Sequence, residues 1–240
     1  QAIFPSETKL KSILPNSFVF YKPKDIVSGD FYWIAENNNR IFLAAVDCTG
    51  HGVPGALMSI IGFDLLRNIT INQGITDPSE ILNNLNKGVI EALAMNEKDK
   101  IVSDGMDLAL CVINKKERTL EFSGAFNSLY IVRDEKVHEL KGNRFPIGAI
   151  ENENVKLFEN QKIEIKPGDK FYIFTDGYAD QFGGPQHKKM KSRKFRHNIL
   201  TFSHLPFEEQ KSQLKEQFQN WRGKLEQVDD VLIIGFSLDE

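Results

Sequence analysis

The segment Arg40-Ile41-Phe42-Leu43-Ala44-Ala45-Val46-Asp47-Cys48-Thr49-Gly50-His51-Gly52 carries more information than any other stretch of the chain. Ile41 to Val46 is an unbroken apolar run of six residues, and no run in the sequence is longer. That length suits a strand buried on both faces and is far too short to span a bilayer. The run ends on an aspartate and then turns through glycines. From Val53 to Gln73 the apolar residues Leu57, Ile60, Ile61, Leu65, Leu66 and Ile69 recur at helical spacing, and Gly74 supplies a stop.

Strand signals precede this segment. Ser17 to Tyr21 and Phe31 to Ala35 are short β-branched or aromatic runs, and Asn37-Asn38-Asn39 reads as the hairpin turn into Arg40. Thr76-Asp77-Pro78-Ser79-Glu80 follows the first helix. Asp77 can cap a second helix, with Pro78 in its first turn and Glu80 three residues after the cap. That helix carries Ile81, Leu82, Leu85, Val89 and Leu93 on one face. Strands resume at Met106–Ile113, Thr119–Ser123, Ser128–Val132, Lys136–Leu140, Lys162–Ile165 and Lys170–Thr175. Helices are expected over Arg193–Phe202 and Phe207–Trp221, and Val231–Ser237 closes as a strand. Meanders of strands with helices gathered in blocks indicate an α+β fold with antiparallel sheets, as opposed to a doubly wound parallel sheet. Residues 15–240 read as a single domain, and Gln1–Leu14 as the end of an upstream linker.

Composition narrows the function classes. The 240 residues carry 30 basic and 33 acidic side chains, a net charge of −3 that speaks against a strongly basic nucleic-acid protein. Two cysteines, Cys48 and Cys111, are too few for a disulfide scaffold and point to a reducing compartment, here expected to be the cytoplasm. No Gly-x4-Gly-Lys loop and no Gly-x-Ser-x-Gly elbow occurs. Gly50, Gly52 and Gly55 fit a Gly-x-Gly-x-x-Gly pattern formally, but a second helix follows where a dinucleotide fold needs a parallel strand.

Aspartate at strand ends is the more telling pattern. Asp30 opens a strand after Ser28-Gly29, Asp47 ends the apolar run, Asp176 follows Tyr172-Ile173-Phe174-Thr175, and Asp229-Asp230 open the last strand. Any one of these suits a turn. Taken together they suit a hard-cation site, because crowded carboxylates repel one another until a divalent ion offsets the charge. Two such ions about 3.5–4 Å apart can clamp a phosphoryl group.

Ser28-Gly29-Asp30-Phe31-Tyr32, Asp47-Cys48-Thr49-Gly50-His51-Gly52, Thr175-Asp176-Gly177 and Asp229-Asp230 resemble, in order and interval, the metal-dependent protein phosphatases of type 2C. The likeness is greatest to the bacterial branch named for the sporulation stage II E protein, and Gly124-Ala125-Phe126-Asn127 and Phe145-Pro146-Ile147-Gly148 share it. The resemblance implies an α-β-β-α sandwich, two antiparallel sheets packed face to face and flanked by helix pairs. It implies hydrolysis of phosphoserine or phosphothreonine in a regulatory phosphoprotein by a metal-bridging water, with two Mn2+ or Mg2+ ions. Asp47 matches the bridging carboxylate, Cys48 a position that ligates through its backbone carbonyl, and Asp176 and Asp229 the ligands of the other ion. Asp30 matches an acid holding metal-bound waters, and Asp230 a ligand or a supporting acid. Trp33 and Asp180 stand where relatives often carry an acid and a glutamate. The family's phosphate-gripping arginine has no clear counterpart, although Lys22 or Lys24 could serve. By the same resemblance the substrate is a small regulator of sigma factors, and upstream sensing or dimerising domains move the first helix pair to complete the metal site. The rival readings are a silent or partner-activated binding module of the same fold, and a small-molecule phosphoesterase.

Other residues carry weaker signals. His51 could protonate a leaving serine oxygen, although a hydrogen bond shaping the Gly50–Gly52 turn is the preferred role. Asp104 and Asp107 read as turn or strand-capping residues, with Asp107 a lesser candidate for a third ion. His187 to His197 holds six Lys or Arg in eleven residues, including Lys188, Lys189 and Lys191. That run reads as a solvated face, or as a surface steering an acidic phosphoprotein, and Phe182-Gly183-Gly184-Pro185 before it reads as a mobile loop.

Overall fold

Asn38 and Asn39 both take positive φ, 51° and 62°, the backbone of a two-residue hairpin whose twist matches that of its strands. They join β2 (Phe31–Asn37) to β3 (Arg40–Cys48). The computed structural model describes residues 5–50, 52–94, 105–148 and 156–239. β4 (Met106–Asn114), β5 (Thr119–Ala125) and β8 (Gln161–Glu164) complete a five-stranded antiparallel sheet in the order β2-β3-β4-β5-β8. The second sheet contains β1 (Ser17–Lys22), β12 (Val231–Phe236), β9 (Lys170–Phe174), β6 (Leu129–Arg133) and β7 (Lys136–Leu140), in the order β1-β12-β9-β6-β7.

Period two then sorts the side chains. In β3, Ile41, Leu43 and Ala45 face the other sheet, together with Tyr32, Ile34, Ala109, Cys111, Ile131, Ile173 and Leu232. Phe42, Ala44, Val46 and Cys48 face the helices α2 (Val53–Arg67) and α3 (Pro78–Ala94). Both faces of β3 are therefore covered, which explains its unbroken apolar run. On the outer face of the second sheet, Phe195 of α5 (Lys191–Phe202) and Phe218 of α6 (Phe207–Arg222) pack with Phe18, Phe20, Tyr130 and Tyr172. The result is the expected α-β-β-α sandwich, and part of the phenylalanine excess fills this aromatic layer. Among the described residues no helix is long and apolar enough to cross a membrane.

The second helix starts as its sequence indicates: the Asp77 carboxylate accepts from the backbone N–H groups of Ser79 and Glu80 at 2.8 and 3.1 Å. The first departs from its pattern. Leu57 and Ile60 are exposed, at 59% and 42%, and the buried face is made by Gly55, Met58, Ser59, Gly62 and Leu66. Small residues let α2 lie close to the sheet, where Gly62 rests on Met106 and Phe31. The helix ends in a π-helical turn over Asn68–Asn72, ahead of Gly74 at φ 71°.

Two further expectations need correction. Of the stretch 1–14 expected as the end of a linker, the described residues from Ser6 on pack onto the domain. Ser6 caps α1 (Glu7–Ile13), whose Leu10 and Ile13 are buried in the core between the sheets. The stretch from Phe182 to Met190 is folded, with β10 (Phe182–Gly183) paired to β11 (Lys188–Lys189). The Gly184 N–H donates to the Trp221 carbonyl at 2.8 Å and the Trp221 indole N–H donates to the Gln181 carbonyl at 2.9 Å. Gly183, Gly184 and Pro185 read as breakers in the sequence, which gives no sign of the tryptophan to which they are tied.

Because Leu10 is fully buried, Leu10→Ala should lower unfolding free energy by about 2–4 kcal/mol in a urea titration. A change below about 0.5 kcal/mol would mean that α1 does not belong to the cooperative fold.

Candidate active site

Strand alternation carries the apolar interior of the sandwich out to an acidic end. In β3 the series Ile41, Leu43, Ala45 continues to Asp47, and in β4 the series Ile113, Cys111, Ala109 continues to Asp107. The register sets Asp47 directly opposite Asp107. Asp30 precedes Tyr32 and Ile34 on the same face of β2, and Asp230 precedes Leu232 and Ile234 on β12. Side chains that would be core one step further in are carboxylates at this end.

Asp47, Cys48, Thr49, Gly50, Asp107, Asp176 and Asp229 line an open cleft of about 270 Å3. Asp176 enters from the second sheet, at the start of the one-turn helix α4 (Gly177–Asp180). Gly177 is required there, since a Cβ would run into the backbone carbonyl of Asp230. The Asp47 loop is held in the same way: a Cβ on Gly29 or Gly55 would strike the Gly50 carbonyl. The three glycines of the dinucleotide-like pattern thus shape a loop, and β3 and β4 run antiparallel, which rules out that fold.

The expected site residues separate into two layers. Asp47, Cys48, Asp176 and Asp229 reach the cleft. Asp30 is 2% exposed behind it, and its Oδ2 accepts from the Thr175 hydroxyl at 2.6 Å. Asp230 uses both oxygens on backbone, accepting from the N–H groups of Lys24 at 2.7 Å and Gly29 at 2.9 Å. It ties the loop before Asp30 to the last strand and does not line the cleft, so the ligand role expected of it gives way to a supporting one. The Cys48 side chain packs with Met58, Val46 and Met106 on the helix side, and burial pushes its thiol pKa well up. Cys48 can therefore act in the cleft only through its backbone. His51 and Asp104 lie outside the described residues.

Asp107, expected as a turn or capping residue, is instead a strand residue facing Asp47. Its signal was its parity with Ala109, Cys111 and Ile113, but only the register sets it against Asp47. Sequence reading also missed Gln181 and Gln227. Gln181 is fully buried, and its side-chain amide donates to the Glu226 carbonyl at 2.9 Å. Gln227 donates to the carbonyls of Lys22 and Asp229, both at 2.8 Å. Both brace the turn that presents Asp229. The Lys22 ammonium bonds the Gln227 side-chain oxygen at 2.5 Å, so it is engaged beside this turn. From the basic run, Lys189 pairs with Asp180 at 2.6 Å, while Lys188 and Lys191 are exposed.

The electrostatics follow from crowding. Burial, then the charges of Asp30, Asp176, Asp229 and Asp107, push the Asp47 carboxyl up to about 10. Burial, then the charge of Asp176, raises Asp107 to about 6. Burial, then Asp180 and Asp229, raises Asp176 to about 6, with Lys189 opposing. Burial raises Asp30 well above its usual range, against the Thr175 hydrogen bond. Among the described residues, no three carboxylate, imidazole or thiol groups converge closely enough to hold an ion as they stand. The donor chemistry nonetheless fits a hard divalent cation: Asp47, Asp107, Asp176 and Asp229 present only oxygen, and their mutual repulsion is what such an ion would offset.

Residues 37–239 match the family model described as Stage II sporulation protein E (SpoIIE). The chain is 26% identical over 162 residues to "Phosphoserine phosphatase RsbU" of Bacillus subtilis, covering 66% of this chain and 44% of that protein. It is 29% identical over 162 residues to "Stage II sporulation protein E" of Priestia megaterium, covering 67% of this chain and 25% of that protein. It thus spans less than half the length of these relatives. The solved SiaA-PP2C domain of Pseudomonas aeruginosa superposes with a TM-score of 0.89 at 32% identity, covering 99% of this chain and 92% of that one. On these matches and on its two-sheet architecture, the chain belongs to the SpoIIE family of PP2C-type domains.

Proposed function

We propose that this domain is a Mn2+- or Mg2+-dependent phosphatase of phosphoserine and phosphothreonine in a regulatory phosphoprotein. The observation that carries the reading is the set of carboxylates around one cleft, with Asp47 and Asp107 opposed in register. Asp47, Asp107, Asp176, Asp229 and the Cys48 carbonyl would hold the metal. Two divalent ions would supply a water ionised near neutral pH and a positive field for the phosphoryl group. Asp30 and Thr175 hold the rear wall, and Gln181 and Gln227 keep the Asp229 turn in register with Asp176. Lys188, Lys189 and Lys191 form the edge on which an acidic phosphoprotein would be steered. Phosphoryl transfer depends mostly on such positioning and charge stabilisation. The name of the relative RsbU, a phosphoserine phosphatase, supports the substrate class, and the site is read as working in the cytoplasm.

A second reading, a partner-activated module, has its own support. The cleft carboxylates do not converge on an ion as they stand, and α2 next to them exposes Val53, Leu57 and Ile60. In this form a sensor segment or a second copy pressing on α2 would close the site, and the isolated domain would turn over slowly.

A phosphoserine peptide and para-nitrophenyl phosphate, each assayed with Mn2+ and with chelator, test the enzyme reading. Metal-dependent release is expected, and its absence for both esters would refute it. Asp47→Asn should lower kcat/KM at least about a hundredfold, as loss of a group central to the electrostatics does. A variant that keeps most of its activity would remove Asp47 from the site.

The carboxylates also set a pH dependence. Asp107 and Asp176 titrate near 6 in the fold and Asp47 near 10, against an ordinary value of 3.8. Raised folded pKa values mean that the stability these groups confer on the metal-free domain is full below pH 3.8 and falls as pH rises through 6 and beyond. Mn2+ binds the ionised form. The rise in Tm on adding 1 mM Mn2+ should therefore be larger at about pH 8 than at about pH 5. An equal rise at both would place the metal elsewhere.

A further inference from the structure

Among the described residues only two phenylalanines are exposed, Phe126 at 51% and Phe182 at 40%. Each lies close along the chain or the strand register to a part of the carboxylate cleft: Phe126 beside Asp107, and Phe182 two residues after Asp180. Phe126 directly follows β5. Since Ala125 pairs with Leu108, Phe126 falls level with Asp107 at the end of the sheet where Asp107 meets Asp47. Adjacent strands lie about 4.8 Å apart, so its backbone is roughly 5 Å from the line of Asp107 and roughly 10 Å from that of Asp47. Phe182 stands two residues beyond Asp180, in β10, paired in register with Lys189. The Lys189 ammonium bonds Asp180 at 2.6 Å, on the wall that supplies Asp176.

Phe126 is not placed there by the needs of the fold. Its φ is 55°, a left-handed conformation that is a true outlier for a bulky side chain and comfortable for glycine or asparagine. The turn is imposed by its surroundings. The Asn127 N–H donates to the Ala125 carbonyl at 2.6 Å, closing a γ-turn with Phe126 at its centre. The Phe126 N–H donates to the Asn143 carbonyl, and the Asn143 N–H to the Gly124 carbonyl, both at 2.8 Å. Gly124 and Gly142 lie against the Asn127 carbonyl with no space for a side chain. The backbone is thus held rigidly, and a large apolar ring stands on it in solvent. Such local strain at the lip of a site is the mark of a residue kept for what it contacts.

We propose that Phe126, assisted by Phe182, is a specificity-determining residue that contacts an apolar side chain next to the phosphoserine of the substrate. The proposal rests on the phosphatase reading and adds to it a preference: phosphoserine flanked by aliphatic residues over phosphoserine flanked by glycine. A small ester enters the cleft without touching either ring.

The test compares two phosphoserine peptides that differ only in Leu or Gly on both sides of the phosphoserine, with para-nitrophenyl phosphate as the small ester and Mn2+ present throughout. The unaltered chain should favour the Leu peptide about tenfold in kcat/KM, the scale of an apolar side chain in a pocket. Phe126→Asn, which suits the left-handed backbone, should bring that ratio to about two or less. Turnover of the small ester should stay within about twofold, and Tm should be unchanged or higher, because a residue that tolerates positive φ is installed. Phe182→Ser should lower the ratio independently. A ratio near one in the unaltered chain, a ratio that survives Phe126→Asn, or a parallel loss with the small ester would overturn the proposal while leaving the phosphatase reading intact. No metal-dependent release from any of the three esters would overturn both.

Discussion

Repulsion among crowded carboxylates at one end of the sandwich is the constraint around which the rest of this structure is arranged. Asp47 and Asp107 face each other across β3 and β4, Asp30 lies behind them, and Asp176 and Asp229 close in from the second sheet. Like charges directly opposed in a ladder are destabilising, and burial adds to the penalty. A fold keeps such a group together only if its frame is rigid. Here the frame is a doubly covered β3, a β12 buried along its length, and a layer of helices on each outer face.

The parts that look incidental serve that frame. Asp230 has both oxygens on backbone amides of the preceding loop, so an acid adjacent to the cleft acts as a clamp. Gly177, Gly29 and Gly55 are glycines because backbone carbonyls occupy the space of their Cβ atoms. Gln181 and Gln227 satisfy the buried turn ahead of Asp229. Trp221 pins the hairpin that carries Lys189 next to Asp180. Each of these brings two chain segments, distant in sequence, to a fixed separation at the acidic end. Placement of that kind suits a cation, whose ligand geometry tolerates little error.

Much of the architecture was legible from local pattern. The Asn38-Asn39 turn, the Asp77 cap and the apolar run Ile41–Val46 each have a local physical cause, and each appears as read. Three elements were not legible, for different reasons. The buried face of α2 combines Met58 and Leu66 with Gly55, Ser59 and Gly62, so Leu57 and Ile60 of the aliphatic repeat face outward while Ile61, Leu65 and Leu66 pack inward. α1 is short, and its place depends on a core formed by strands far along the chain. The β10–β11 hairpin depends on Trp221, more than thirty residues away.

The sequence alone determined the antiparallel α+β class, the ordered strand-end aspartates, and the resemblance that follows from them, because strand periodicity, turn chemistry and motif order are all written locally. Only the tertiary structure decided which aspartates work together. Asp107 joined the cleft and Asp230 left it, although a linear reading gave the second more weight than the first. The reason is register: a one-residue step along a strand reverses the face of a side chain, and pairing across strands is set by contacts that no local segment contains.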